Sequence, residues 1–379
     1  MEKYVNKNIF FICIFIICIT GSCKKETSWI PGVPFPKEKL IIGVIHINNP
    51  FTETSGYSFA HEAGIEDMIK NTGIDDSQVI RRVNVYDGDS EAVEEIMRSV
   101  IARGANVIIA TSWRYMDTCE KLSREFPSVV FAHALGNKYN DTNFTNYFGR
   151  AYQAKYLSGI IAGLHTKTGK IGYIAPWGTD NGEVTCNLNA FAMGVEKANP
   201  DAKVYVRITH SWFDPIEETM GTQVLINADC DIISQDTDSP VPQIEAQRAG
   251  IWGIGYNTDM SADAPDAVLT SVFWNWGVYY TALIQSIIDG TFTTEPVYGS
   301  IKDGIVDLTP LNKNIEWDAE LLRILDEERT RIESGSFKIF TGIIETNEGR
   351  LVGRIGEDFF DIDIRNNINW YYKNIVVIK

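Results

Sequence analysis

Aromatic rings recur beside amides and carboxylates along this chain. The runs are Asn48-Asn49-Pro50-Phe51-Thr52-Glu53-Thr54-Ser55-Gly56-Tyr57, Thr111-Ser112-Trp113-Arg114-Tyr115, Pro176-Trp177, His210-Ser211-Trp212-Phe213, Gln235-Asp236-Thr237-Asp238, Asn257-Thr258-Asp259 and Trp274-Asn275-Trp276. A flat π face stacks a planar ligand, while Asp and Asn pair with ring N–H donors or hydroxyls. That offer suits a nucleobase better than a phosphate or a metal. Core or interlobe packing is the competing role for each tryptophan taken singly, and the repetition of the pattern weighs against it.

Catalytic patterns are missing. His46, His61, His133, His165 and His210 show no H-E-x-x-H or other ligand spacing, and no G-x-S-x-G elbow, Walker loop or G-x-G-x-x-G is present. Structural hydrogen bonding is the expectation for each histidine, with His61 anchoring a strand-to-helix turn. The pairs Asp75-Asp76, Glu94-Glu95 and Glu217-Glu218 read as solvated charge. Asp236-x-Asp238 resembles a nucleoside-hydrolase carboxylate cluster, but a calcium-dependent hydrolase needs further oxygen ligands. Cys119, Cys186 and Cys230 have neither zinc nor disulfide spacing and read as small buried hydrophobes. No metal site is expected.

The elements that must position the aromatic runs follow from periodicity. Leu40–Ile45 is a continuous apolar run suited to a strand buried on both faces, and Tyr57–Ile69 follows with helical spacing. Strands are predicted at Val79–Val85, Val107–Ala110 and Val129–Ala132, alternating with helices Ser90–Ala102 and Met116–Glu125; the last strand is expected to close the first half. The second half repeats the pattern, with helices predicted at Tyr152–His165, Glu183–Ala198, Pro215–Ile226, Val241–Ala249 and Val278–Asp289. Its strands are predicted at Ile171–Ile174, Val204–Thr209, Ile232–Ser234, Trp252–Tyr256 and Val268–Phe273. A helix Asp318–Glu333 and a β-rich tail (Phe337–Gly342, then Trp370–Ile378) complete the chain. Such alternation implies an α/β protein with two doubly wound parallel sheets and right-handed crossovers. Ligands of such sheets bind outside the carboxyl ends of the strands, where the aromatic runs fall.

A length of 379 residues suits two domains, and a formal net charge of −16 argues against nucleic acid or anionic headgroups as partners. Lys3 and Lys7 precede an apolar run from Ile9 to Ile19 and then Thr20-Gly21-Ser22-Cys23. That run is too short to span a bilayer and fits a secretory signal, with Thr20 where bacterial lipoboxes usually carry Leu. The expectation is a lipoprotein signal over 1–22, removed to leave an acylated Cys23 that holds the chain to a membrane, facing periplasm or exterior. Residues 23–38, charged and rich in proline, read as a tether.

Several motifs together resemble the basic membrane protein (BMP) family of substrate-binding lipoproteins, which includes the purine nucleoside receptor lipoproteins. They are Gly56-Tyr57-Ser58-Phe59-Ala60-His61-Glu62-Ala63-Gly64, Tyr147-Phe148-Gly149-Arg150-Ala151-Tyr152-Gln153, Ser211-Trp212-Phe213-Asp214-Pro215, Gln235-Asp236-Thr237-Asp238-Ser239-Pro240, Gly255-Tyr256-Asn257-Thr258-Asp259-Met260 and Trp274-Asn275-Trp276-Gly277. Phe340-Thr341-Gly342 and Asn369-Trp370-Tyr371 extend the likeness to the end of the chain. The resemblance implies a type I periplasmic-binding-protein fold, two doubly wound parallel-sheet lobes joined by a three-crossover hinge. The first lobe would hold 39–149 and the second 150–270, with 271–379 returning to both. It also implies a monomeric receptor that hands its ligand to an ABC permease, without catalysis or cofactor.

Family members stack a purine between aromatics, and Phe51, Tyr57, Trp113 and Trp177 stand at those places. Glu53 corresponds, one residue out of step, to the family's acid after the first strand, and Asp259 to the acid after the strand carrying Gly255. Nucleoside-binding members have a ribose-holding Lys where this chain has Trp274, which implies a free base such as adenine. Tyr115, Asp236, Asp238 and Asn275 complete the candidate ligand-binding set. The readings left beside it are a receptor for a nucleoside or for a flavin, a secreted nucleoside hydrolase or phosphorylase, and a surface adhesin.

Overall fold

The structure is a computed structural model that describes residues 29–378. The expected signal segment, Cys23 and the first part of the tether lie outside the described residues. The first sheet begins with β1 (Ile42–Ile45), whose four residues are all buried because helices cover both faces. It pairs in parallel with β2 (Val79–Arg82) and β3 (Val107–Ala110), Ile42 lying opposite Val79 on one side and Val107 on the other. Helices α1 (Tyr57–Thr72), α2 (Ser90–Ala102) and α3 (Met116–Glu125) connect successive strands. β4 (Val130–Ala134) does not close this half as expected. A further parallel strand, β5 (Phe144–Gly149), follows it. Its buried Thr145 and Asn146 break the apolar pattern that marks the other strands. The turn into it is set by Asn143, whose buried amide donates to the carbonyls of Ser123, Phe126 and Val129.

The chain then passes through α4 (Ala151–His165) to a second sheet made of β6 (Lys170–Ala175), β7 (Lys203–Ile208), β8 (Ile232–Gln235), β9 (Trp252–Asn257) and β10 (Val268–Trp274). Its connecting helices are α5 (Gly182–Ala198), α6 (Pro215–Asn227) and α7 (Val241–Ala249). α4 and α5 cross at backbone contact. A β-carbon at Gly159 would stand 2.0 Å from the Phe191 carbonyl oxygen, and one at Gly194 would stand 2.0 Å from that of Tyr156.

From β10 the chain returns: α8 (Trp276–Asp289) packs on α1, and β11 (Val297–Gly299) adds to β5 at the edge of the first sheet. It crosses once more to β12 (Val306–Leu308), antiparallel on β10, and runs on through α9 (Ala319–Glu333). The strand orders are β11-β5-β4-β3-β1-β2 and β12-β10-β9-β8-β6-β7, the second extended by a last strand, β15 (Ile375–Ile378), parallel to β7. Among the described residues the chain therefore passes between the sheets three times, after β5, β10 and β11. Before β15 lie a hairpin, β13 (Thr341–Glu345) with β14 (Leu351–Asp358), and a short helix, α10 (Asp361–Asn367). The tail is thus not only β-rich: α10 is short and carries one buried apolar residue, Ile364, too few for a helical period to register. The arrangement is that of the type I periplasmic-binding-protein fold. Cys119, Cys186 and Cys230 are all buried and free.

Candidate ligand cleft

A cleft of about 770 Å³ opens where the carboxyl ends of the two sheets face each other. The first sheet contributes Tyr57, Asp87, Ser112 and Trp113; the second contributes Trp177, Glu183, Asp238, Tyr256 and Asn257. Trp113 sits in a 3₁₀ turn after β3 and is 41% exposed. Trp177 follows β6 and meets His210 edge-on. Tyr57, at the start of α1, donates its hydroxyl to the Thr111 carbonyl at the end of β3, which fixes the ring against the cleft wall. Trp274, the last residue of β10, also lines the cleft. Its indole stacks on Trp276 at 4.8 Å and 11°, and Trp276 stacks in turn on His61 at 4.9 Å and 7°.

A chain of polar contacts joins this indole to an acid. Trp274 Nε1–H donates to Asn257 Oδ1 at 3.0 Å, and the Asn257 amide donates to Asp238 Oδ1 at 2.9 Å. Asn257 holds a left-handed φ of 69°, a conformation that Asn tolerates better than most side chains. Burial first, then the charges of Glu218, Glu53 and Glu183, push the Asp238 carboxyl well above its usual range; the Asn257 amide pulls the other way. Glu183 stands in the first turn of α5, beside Asn181, whose side chain caps the helix by accepting the Val184 N–H. Burial raises its carboxyl from 4.5 to about 7, against the pull of Arg365. On the opposite wall Ser112 donates to Asp87 at 2.6 Å. The cleft therefore offers π faces and acceptor-rich acids, with Arg114 and Arg365 as its guanidinium groups.

The remaining sequence candidates lie elsewhere. Tyr115 is fully buried, its hydroxyl donating to the Val85 carbonyl, because side chains two apart on a tight 3₁₀ turn point in different directions. Phe51 is 61% exposed on the loop after β1 and does not line the cleft. Glu53 is half-buried in the same loop and held at about 7 by burial, the Phe59 N–H opposing. Asp236 lies beneath the cleft rather than in it, 2.8 Å from the Lys155 ammonium, so it forms no hydrolase-like cluster with Asp238. Asp259 is exposed and caps the turn Met260–Ala262. Asn275 precedes α8 and faces a shallow outer groove with Asp67 and Asn71. His61 does not anchor the β1–α1 turn; its Nδ1 meets the Tyr280 hydroxyl and ties α1 to α8.

Sequence reasoning passed over Glu183, Tyr256, Asn257 and Arg365. Asn257 and Tyr256 stand in a run already singled out for Asp259, and their place at the end of β9 was the available signal. Glu183 stood at a predicted helix start. Nothing local marks Arg365. Among the described residues no group of three His, Cys, Asp or Glu side chains could hold a metal ion.

Residues 47–338 match the family model described as ABC transporter substrate-binding protein PnrA-like. A purine-binding protein of Brucella abortus (strain 2308) is 35% identical over 86% of this chain and 90% of its own length. Among solved structures, an ABC transporter solute-binding protein from Conexibacter woesei aligns with a TM-score of 0.67 at 19% identity, covering 79% of this chain and 98% of its own. One from Aeropyrum pernix K1 aligns at 0.66 and 15%, covering 79% and 92%. These two likenesses concern the fold.

Proposed function

This chain belongs to the PnrA-like family of ABC transporter substrate-binding proteins, and we propose that it closes its two sheets on a free purine base such as adenine and presents the closed form to a permease. The observation that carries this reading is that Trp113 from the first sheet and Trp177 from the second line one cleft, which the hydrogen-bonded chain Trp274–Asn257–Asp238 also lines. A planar base buries both faces only if each lobe supplies a wall. Its polar edges then need partners, since each one left unpaired in a dry cleft costs about 1–3 kcal/mol. The 35% identical purine-binding protein supports the ligand class.

Trp274 supports base over nucleoside. Its single N–H is committed to Asn257, and its ring is 4% exposed and stacked, so it has no donor free for ribose hydroxyls. In this reading the protein acts outside the cytoplasm as a monomer tethered through an acylated Cys23, and it neither turns over its ligand nor needs a cofactor. Mass spectrometry of what co-purifies with the protein tests the ligand class. A free purine is expected; a sugar, a flavin or an intact nucleoside as the dominant species would displace this reading.

A further inference from the structure

The short helix α10 lies beyond residue 338, where the family match ends, yet it reaches into the cleft. Its mount is rigid. Arg150, just before α4, donates Nε and Nη2 to the two carboxylate oxygens of Asp361, at 3.2 and 2.6 Å. At its other end the Arg365 carbonyl oxygen lies 2.4 Å from where a β-carbon on Gly182 would stand, so its backbone abuts the start of α5. From there the Arg365 guanidinium spans to the first sheet. Nη1 donates to the Gly136 carbonyl at 3.1 Å, and the central carbon lies 5.6 Å from the Trp113 ring centre and 4.9 Å from that of Phe148. Nη2 is shut off from solvent with no hydrogen-bond partner. A buried donor left unpaired is costly, and a guanidinium can only donate. The acid Glu183 acts on Arg365 through its charge and takes no hydrogen bond from it, so an acceptor on a ligand in the cleft would satisfy this arm.

We propose that Arg365 is a specificity residue of the cleft, its Nη2 donating to one ring nitrogen on the edge of a purine that Trp113 borders. This rests on the purine reading above. One arm is already committed to Gly136, so the free arm matches a single ring acceptor; a carboxylate or phosphate would draw both arms in parallel. Helix α10 is held both by Arg150, which follows β5 of the first sheet, and by α5 of the second, so Arg365 stands where the two halves meet at the cleft.

The test pairs deletion of ligand atoms with a change at this residue. Adenine and its 1-deaza, 3-deaza and 7-deaza analogues are titrated calorimetrically into wild type and Arg365→Met. In wild type one analogue is expected to bind about tenfold or more weakly than adenine, the scale of one charge-assisted hydrogen bond. In Arg365→Met adenine should weaken by a similar factor, and that analogue's deficit should vanish. Equal deficits in both proteins, or unchanged adenine affinity in the variant, overturn the assignment and leave the purine reading standing. Failure of wild type to bind adenine and all three analogues removes the purine reading and the assignment with it. If Arg365→Met does not fold, Arg365→Lys goes through the same series, and its deficit should be smaller than the wild type's; an undiminished deficit overturns the assignment.

Discussion

Trp113 and Trp177 are partly exposed indoles held at the ends of buried strands, so removing either ring should change the ligand site without unpacking a core. Each of Trp113→Ala and Trp177→Ala is expected to weaken purine binding by at least about 1 kcal/mol, the scale of base–aromatic stacking. Asp259→Ala, in an exposed turn cap, should leave binding unchanged; calorimetry on the three variants decides whether the indoles stack ligand or only line a wall. Glu183 gives a pH prediction with a definite sign. Its carboxyl keeps its proton to about 7 in the folded chain and loses it near 4.5 when exposed. Between those values the folded state binds more protons, so this group makes stability fall as pH rises through the window. Glu183→Gln should therefore melt at a temperature that changes less between pH 5 and 8 than wild type, the difference growing in the variant's favour toward pH 8. Parallel pH curves for the two proteins would refute it. What could be read at this scale was any residue directly following a strand, as with Trp113, Trp177 and Asp238. Tyr115 and Asp236 obey the same rule of position yet turn away, because orientation on a 3₁₀ turn and pairing with a distant lysine are not local properties of sequence.

At the scale of elements, α4 carries the first passage between sheets and a fully buried ammonium. Lys155 Nζ lies 2.8 Å from Asp236, hydrogen-bonds the Gln235 carbonyl, and sits 4.1 Å from the ring centre of Tyr256. Tyr256 lines the cleft, so this cation supports its wall from behind. Lys155→Met would leave Asp236 buried and unpaired, and should destabilise the protein by about 3–5 kcal/mol in denaturant unfolding. Restoring most of that loss with a second change, Asp236→Leu, would identify the unpaired charge as the cause; no recovery would point to packing instead. The strand–helix alternation was legible because strands covered on both faces, such as β1 and β3, are written as unbroken apolar runs. β5 and α10 were not. β5 buries Thr145 and Asn146 among partners supplied by tertiary structure, and α10 is held by Arg150 from far away in the chain.

For the whole molecule, three passages between two sheets make a hinge whose closure a ligand can drive only by binding the closed form better. The loop after β1 already touches the second half: Thr54 donates to Asp263 at 2.7 Å, and the Gly56 N–H to the Thr258 hydroxyl at 3.2 Å. The proposed tether predicts a location as well. Cys23→Ser should move the protein from the membrane to the soluble fraction, since without acyl chains the tether has no membrane affinity; unchanged retention would contradict the anchor. The ligand in the cleft defines what this protein does. Competition calorimetry with adenine, adenosine, guanine, guanosine, hypoxanthine and inosine tests this most directly. Free bases, adenine among them, are predicted to bind more tightly than their nucleosides, each tenfold difference corresponding to about 1.4 kcal/mol. Consistently tighter nucleoside binding would contradict the role given to Trp274, and no binding by any of the six would contradict the purine class itself.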